Sequence, residues 1–215
     1  MIMRRLVSMG FDKEPYMRGT HLCLIYHDEE ERRNILSKFF WTAKEEWEFF
    51  IYLTDSLTPG DTLDWLVKKG NHRLRKTTPH YWKILPAVPT LCPADRFEPG
   101  MSINQFCEKY TDSILRGYKG LRISAEMSWA TRGVADWDSL IRYETMINQI
   151  KEDFPITFLC QYDASRFNRA TLYKIIMAHP YLIQDGKIIR NLCFSQKKVD
   201  RKVNDRIAVC SDSRK

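Results

Sequence analysis

The sequence predicts a three-layer α/β domain, with a mostly parallel sheet, helices on both faces and a C-terminal β-hairpin. Strand-like and helix-like segments alternate from residue 21 onward, and parallel strands need crossovers that place helices on both faces of a sheet. The first strand-like run, residues 21–27, is nearly continuously apolar, which is typical of a strand covered on both sides. Asp185-Gly186 between two apolar runs predicts the hairpin turn.

Each element has its own local signal. Five strands are expected at 21–27, 49–54, 81–85, 121–127 and 156–162. Five helices are expected from Asp28 to about Trp41, from Thr58-Pro59 to Gly70, from Ser102 to Gly117, around residues 140–150, and from Asn168 to Pro180. Ser102 and Gln105 have capping-box spacing. Four prolines between Pro86 and Gly100 predict a long ordered loop.

Length and composition favour one soluble domain. The chain has 215 residues, 44% of them hydrophobic, and no apolar run reaches the roughly 18 residues of a membrane helix. The apolar stretch after Arg4 and Arg5 is too short for a signal peptide. We therefore expect a cytoplasmic protein without a membrane partner. The six cysteines contain no C-x-x-C pair, so buried, reduced thiols are expected rather than disulfides.

The positive charge is concentrated at the C-terminus. The net charge is +7, but residues 187–215 hold nine Lys/Arg against three Asp/Glu, a net +6, which leaves residues 1–186 with 25 against 24. A nearly neutral body does not predict a nucleic-acid-binding face. A solvated tail and a docking arm for nucleic acid or an acidic partner both remain open for the basic end.

A small-molecule site is expected beyond the carboxyl ends of the strands, where open α/β sheets bind ligands. The polar and aromatic residues there could close a small pocket. The candidate ligand-binding residues are His27, Glu126, Met127, Trp129, Gln161, Tyr162 and Asp163. A packed role for the aromatic residues and helix-capping or ion-pairing roles for the acids remain open.

The first strand-to-helix turn argues against a nucleotide triphosphatase. Its sequence, His-Asp-Glu-Glu-Glu-Arg from His27, lacks glycine and lysine, and its acids would repel phosphate. No cofactor is expected. No metal is expected either, because His21, Cys23 and His27 share a strand face but spread over about 20 Å. Cys160 and His179 are assigned structural roles by default. A residual hydrolase or transferase using Glu126 and Asp163 requires both carboxylates to face one cavity within about 10 Å.

An ordered series of short motifs carries a family resemblance. The most specific are Gly117-Tyr-Lys-Gly-Leu-Arg122, Cys160-Gln-Tyr-Asp163 and His179-Pro180. Together with the segments that begin at Thr20, Phe97, Glu126, Tyr143 and Gly186, the series resembles the MEDS family, the methanogen/methylotroph DcmR-type sensory domain. The resemblance spans about residues 18–195. It divides the chain into an N-terminal extension (1–17), the sensory domain (18–195) and a basic tail (196–215).

The resemblance implies a RecA/KaiC-like fold without a functional P-loop, and a non-catalytic sensory role. The implied ligand is a hydrocarbon derivative or a methylated one-carbon compound, and the implied source is a methanogen or a methylotroph. Five of the candidate ligand-binding residues are also motif positions of the family: Glu126, Trp129, Gln161, Tyr162 and Asp163. The family's other motif positions here are His21, Arg122, Tyr143, Glu144, Cys160, His179 and Asn191. They could bind ligand or hold the fold.

The sequence does not identify how the domain would transmit a signal. Members often carry a DNA-binding or histidine-kinase module, and only about twenty residues follow the domain here, too few for either. We therefore expect a regulatory protein partner, a histidine kinase or a transcription regulator, or self-association into a homo-oligomer. A ligand-independent scaffold is the remaining alternative, and an exposed apolar patch above roughly 600 Å² would favour it.

Overall fold

The computed structural model describes residues 5–69 and 81–194. Within these ranges the strands are β1 Leu6–Ser8, β2 Pro15–Met17, β3 His21–Tyr26, β4 Glu48–Thr54, β5 Trp82–Pro86, β6 Gly120–Glu126, β7 Thr157–Asp163, β8 Tyr181–Gln184 and β9 Lys187–Arg190. The helices are α1 Glu29–Glu45, α2 Pro59–Lys69, α3 Ala87–Leu91, α4 Pro99–Leu115, α5 Trp137–Ile150 and α6 Arg169–Ala178, with short 3₁₀ helices at Pro93–Asp95 and Ser128–Arg132. None of the helices in the described ranges could span a bilayer.

Seven strands form one sheet in the order β5-β4-β6-β7-β3-β8-β9. All neighbouring pairs are parallel except the hairpin β8-β9, which is antiparallel. The predicted mostly parallel sheet with a C-terminal hairpin is therefore confirmed. The hairpin turns at Asp185 and Gly186, both with positive φ, as an Asp-Gly turn favours.

Apolar side chains cover both faces of the sheet, which gives three layers. On one face, α1 and α2 pack together with Val7 and Met9 of the N-terminal segment. On the other face lie α3, α4, α5 and α6. The N-terminal hairpin β1-β2 thus contributes side chains to the core, since Val7 and Met9 are buried.

Two helix starts follow the sequence signals closely. The Asp28 carboxylate accepts a hydrogen bond from the backbone N–H of Glu30, and the Asn168 side chain accepts one from the N–H of Thr171. Both side chains thereby satisfy N–H groups that a helix leaves unpaired at its start. α1 extends four residues further than predicted, to Glu45.

The loop predicted between Pro86 and Gly100 is wrong. This segment holds α3, a 3₁₀ turn and the start of α4. Pro99 is the first residue of α4, where a missing N–H costs nothing. The predicted start at Ser102 is also wrong, because the Ser102 hydroxyl lies inside the helix and donates to Leu91 O at 3.3 Å. The predicted stop at Gly70 and the basic tail 196–215 lie outside the described residues.

Candidate functional site

Four side chains with metal-ligand or acid–base chemistry meet in the core beneath α5 and α6. We call His21, Glu144, Cys160 and His179 the His–Glu–Cys cluster. His21 begins β3 and Cys160 lies on the adjacent β7, whereas Glu144 comes from α5 and His179 directly follows α6. Strand alternation sends His21 to the same face as Cys23, which packs in the core on that side. All four cluster residues are at most 2% exposed.

Glu144 is the centre of this cluster. Its Oε2 lies 3.1 Å from His21 Nε2 and 3.3 Å from His179 Nε2. Cys160 Sγ is 3.5 Å from Glu144 Oε2 and 3.5 Å from His21 Nε2. The Tyr162 hydroxyl donates to the other carboxylate oxygen, Oε1. Two imidazoles, a thiol and a carboxylate oxygen therefore point at one small volume.

Hydrogen bonds outside the cluster fix both histidine rings. Asn148 Nδ2 donates to Glu144 O and Ala178 O at 3.0 and 2.8 Å, which leaves its Oδ1 to accept from His21 Nδ1 at 3.0 Å. His179 Nδ1 donates to Ile175 O at 2.7 Å. The ring orientations follow from this hydrogen-bond network. In both rings the Nε2 atom faces Glu144.

Burial and charge shape the ionisation of the cluster. Burial alone would raise the pKa of Glu144, but the adjacent His179 and His21 hold it well below its usual range. Burial, followed by the Glu144 charge, raises the pKa of the Cys160 thiol well above its usual value. The pKa of Tyr162 rises for the same two reasons. At neutral pH the buried Glu144 carboxylate therefore lies beside a Cys160 thiol and a Tyr162 hydroxyl that keep their protons.

A cavity of about 500 Å³ opens next to the cluster at the amino-terminal end of β3. His21 and Asn148 are part of its lining, as are the basic side chains of Arg18, Lys151 and Arg190. Arg18 Nε donates to Glu48 Oε1 at 2.8 Å. Its Nη2 is buried without a hydrogen-bond partner among the described residues. We call this the amino-edge cavity.

At the carboxyl edge of the sheet, where the ligand was predicted, a second buried network fills the ends of the central strands. Arg32 Nη1 donates to Glu126 Oε1 at 3.1 Å, to Gln161 Oε1 at 2.9 Å and to the Tyr52 hydroxyl at 3.0 Å. Glu126 Oε2 accepts from the backbone N–H groups of Asp55 and Ser56 at 2.9 and 2.6 Å. Side chains thus fill the crevice beside the first strand-to-helix turn.

A shallower cavity of about 550 Å³ lies beside this network, between the residues that follow β4 and those that follow β5. None of the predicted ligand-binding residues is among those that line it. Glu126 acts on it indirectly, because its carboxylate holds the backbone of Asp55 and Ser56, which form one wall.

The predicted ligand-binding residues lie in several separate parts of the structure. Glu126 and Gln161 belong to the Arg32 network, and Tyr162 contacts the His–Glu–Cys cluster. Met127 and Trp129 are fully buried in the core. His27 is exposed. Whether these residues bind ligand stays a prediction.

The carboxylates of the enzyme alternative have separate partners. Asp163 accepts from Ser165 N and Ser165 Oγ at 2.9 and 2.6 Å, whereas both oxygens of Glu126 are bonded within the buried network. Neither residue lines the amino-edge cavity or the shallower cavity. The geometry therefore gives no support to paired acid–base catalysis by these two.

Most of the family motif positions converge on the His–Glu–Cys cluster. Asn191 Nδ2 donates to His179 O at 2.9 Å and to Ile176 O at 2.7 Å, which holds the chain on either side of the C-terminal hairpin. Arg122 lies elsewhere, where its Nε donates to Glu48 Oε2 at 2.8 Å. Sequence reasoning missed the cluster, although a carboxylate at Glu144 on the apolar face of a helix was a signal for it.

Comparisons with known proteins agree with this architecture. No curated protein matches the chain. A KaiC-like protein from the hyperthermophilic archaeon Pyrococcus horikoshii OT3 superimposes with a TM-score of 0.56 at 12% identity, covering 83% of this chain and 80% of that one. That likeness supports the KaiC-like fold. The family model described as the methanogen/methylotroph, DcmR sensory domain matches residues 20–180. The chain belongs to the MEDS family of sensory domains.

Proposed function

We propose that this sensory domain binds a small organic ligand in the amino-edge cavity and, in response, regulates a protein partner without catalysing a reaction. One observation carries the proposal: the cavity reaches His21, whose ring belongs to the cluster on which the family motif residues converge. A ligand on the cavity floor would contact this histidine directly. Through this buried, hydrogen-bonded ring, ligand binding would then affect the surrounding core.

The lining of the cavity favours a ligand with an oxygen acceptor. Arg18 Nη2 has no partner among the described residues, and a buried guanidinium donor gains most from a charged or strongly polar acceptor. Lys151 and Arg190 add positive charge, which together with Arg18 exceeds the single negative charge of Glu152 in the same lining. Tyr181 and Phe194 supply apolar surface. This combination suits a short-chain or methylated one-carbon compound that carries a carboxylate or another oxygen group.

Calorimetric titration of the full chain tests the proposal. The panel pairs formate and acetate with methanol, acetamide and methylated amines, so that charge and methyl content vary separately. We expect the carboxylates to bind more tightly than their neutral counterparts. Arg18→Lys keeps the charge but removes the forked donor, and it should weaken binding at least tenfold. Arg116→Lys should not, because Arg116 is not among the lining residues. Absence of binding for every compound would count against the site.

A second candidate site lies among buried aromatic residues. The Phe97 ring centroid is 4.8 Å from that of Trp129 and 5.5 Å from that of Tyr143. Trp129 Nε1 and the Tyr143 hydroxyl are buried without hydrogen-bond partners among the described residues. Unsatisfied buried donors of this kind are uncommon. A small ligand with one acceptor would satisfy them, and loss of binding in Trp129→Phe with retention in Arg18→Lys would favour this site.

The regulatory partner is proposed to be a histidine kinase or a transcription regulator. The sensory family supports a regulatory role, and the basic segment 196–215 offers a place for contact with an acidic partner. Affinity purification from the source organism, with the full chain and with a chain lacking residues 196–215, tests this. The expected result is capture of a kinase or regulator that depends on the ligand. Equal capture with and without ligand would contradict a sensory output.

A further inference from the structure

The His–Glu–Cys cluster has a donor set that its hydrogen bonds do not exhaust. His21, Glu144, Cys160 and His179 each offer one ligand atom, and the four atoms lie within 4.8 Å of one another. Imidazole, thiolate and carboxylate are the ligands of protein zinc sites. His179 Nε2 is buried 3.3 Å from Glu144 Oε2, without a well-directed hydrogen bond among the described residues. A buried ring nitrogen in this state is uncommon and has coordination capacity to spare.

Four of the six separations between the ligand atoms match a four-coordinate ion, and all six are within 4.8 Å. Tetrahedral Zn²⁺, with ligand atoms at about 2.0–2.3 Å, places those atoms roughly 3.3–3.6 Å from one another. The observed separations are 3.1 and 3.3 Å from Glu144 Oε2 to the two Nε2 atoms. Those from Cys160 Sγ to Glu144 Oε2 and His21 Nε2 are both 3.5 Å. The sulfur separations are the longer ones, as the longer zinc–sulfur bond requires.

The orientation of the histidines is that of metal ligands. In protein metal sites a ligating histidine donates its other ring N–H to a carbonyl, amide or carboxylate oxygen, which fixes the ring. His21 Nδ1 donates to Asn148 Oδ1 and His179 Nδ1 donates to Ile175 O. With both Nδ1 atoms bonded in this way, the Nε2 atoms of both rings face the same carboxylate oxygen. A cation at this point would bind all three atoms in place of any proton that they share.

We propose that His21, Glu144, Cys160 and His179 bind one divalent transition-metal ion, for which Zn²⁺ has the fitting geometry. On binding, the Cys160 thiol loses its proton to solvent and becomes a thiolate. The carboxylate and the thiolate then balance the doubly charged ion, which leaves the buried site neutral overall. This inference goes beyond ligand sensing and does not depend on the organic ligand.

The amino-edge cavity adjoins the cluster. His21 and Asn148 belong to both the lining of that cavity and the surroundings of the cluster, so only one ring separates the cavity from the site. The same arrangement would leave the ion one ring away from any molecule in the cavity.

Elemental analysis of the full chain, followed by titration of metal-stripped protein with Zn²⁺ and Co²⁺, tests the proposal. We expect one ion per chain and, with Co²⁺, the absorption of a tetrahedral site with a thiolate charge-transfer band. Cys160→Ala should abolish that band and weaken Zn²⁺ binding by more than about 100-fold, since even outer hydrogen-bond partners cost 10–100-fold. Asn148→Ala, which removes such a hydrogen-bond partner, should weaken Zn²⁺ binding by about 10–100-fold.

Matched variants distinguish the metal ligands from residues that do not bind the ion. Cys92 is also a buried free thiol, and His27 is an exposed histidine, so Cys92→Ala and His27→Asn should bind like the unmodified chain. Circular dichroism shows which variants remain folded. Stripped, folded wild-type protein that takes up less than a tenth of an equivalent of Zn²⁺ would overturn the proposal. Unchanged Zn²⁺ affinity in folded Cys160→Ala would overturn it as well, and neither result would bear on organic-ligand binding measured by calorimetry.

Discussion

The guanidinium of Arg32 lies 3.1 Å from the Glu126 carboxylate, and both side chains are almost fully buried. Arg32 comes from the first turn of α1 and Glu126 ends β6, so the pair joins a helix to the carboxyl edge of the sheet. Further bonds from Nη1 to Tyr52 and Gln161, and from Nε and Nη2 to Glu29, satisfy the guanidinium. This part of the crevice is therefore a structural junction in which a positive side chain sits next to the end of the central strands.

Removal of Arg32 should destabilise the fold strongly. Arg32→Met leaves the Glu126 carboxylate buried without its counter-charge, and breaking a buried pair in this way typically costs about 3–5 kcal/mol. Arg33→Met is the control, because Arg33 is 34% exposed and pairs with Glu29 at the surface, where a loss below about 1 kcal/mol is expected. Urea unfolding measures both. Similar losses would contradict a stabilising role for the buried junction, and Arg32→Met combined with Glu126→Gln should recover part of the loss.

Tyr162→Phe should destabilise the chain but spare metal binding. The change removes the hydroxyl that donates to Glu144 Oε1 and leaves Oε2, the oxygen nearest both histidines, in place. An unsatisfied buried acceptor costs about 1–3 kcal/mol. Tyr173→Phe, at a 64% exposed tyrosine, should change the free energy of unfolding by less than about 0.5 kcal/mol. Unfolding curves with and without Zn²⁺ check this, and equal stabilities for the two variants would contradict it.

Gly10→Ala should be more costly than Gly133→Ala. Both glycines have positive φ, 83° and 78°, so both substitutions incur the left-handed penalty of about 1–2 kcal/mol. A Cβ at Gly10 would also overlap Lys38 O and Thr42 Oγ1 of α1, whereas a Cβ at Gly133 meets nothing within 4 Å. Thermal unfolding should show a clearly larger decrease in Tm for Gly10→Ala. Equal decreases would mean that the N-terminal segment does not pack against α1 in this way.

Acid should weaken the anchoring of the N-terminal segment. Burial alone would raise the pKa of Asp12, but hydrogen bonds from the N–H groups of Ile188 and Glu14 and from the Tyr16 hydroxyl lower it below 3.8. Because the folded-state pKa is the lower one, the carboxylate stabilises the fold above about pH 4 and loses this effect as the pH falls through the folded value.

The comparison of the unmodified chain with Asp12→Asn tests this pH dependence. The difference in unfolding free energy should be largest at pH 7, on the order of 1 kcal/mol, and should shrink in acid. Asp153→Asn, at an exposed position, is the control. A difference that stays constant from pH 7 to pH 3 would contradict the assignment.

Much of the fold was predictable because its signals are local. Apolar runs predicted the parallel strands, Asp28 and Asn168 marked helix starts, and Asp185-Gly186 marked the hairpin. The errors came from residues with two possible roles. Proline breaks a helix interior but suits its first turn, which is why Pro99, predicted to lie in a loop, instead begins α4.

The candidate site was harder to predict because its members are distant in sequence. On its own strand, His21 is accompanied by the possible metal ligands Cys23 and His27, but the spacing of the three rules out one tetrahedral ion. Its actual neighbours come from α5, β7 and the end of α6. The registered pairing of β3 with β7, in which Cys23 lies beside Cys160, brings the thiol close. No spacing rule along one strand contains that information.

The position of β3 in the sheet has a consequence for biosynthesis. This strand leaves the ribosome before any other strand of the large sheet, yet its two neighbours, β7 and β8, lie near the end of the described chain. The backbone N–H and C=O groups of β3 therefore have no strand partner at the stage when β4, β5 and β6 can already pair with one another. Such non-local pairing is slow and leaves strand edges exposed. The segment that carries His21 therefore stays without its sheet partners until the residues around His179 have been synthesised.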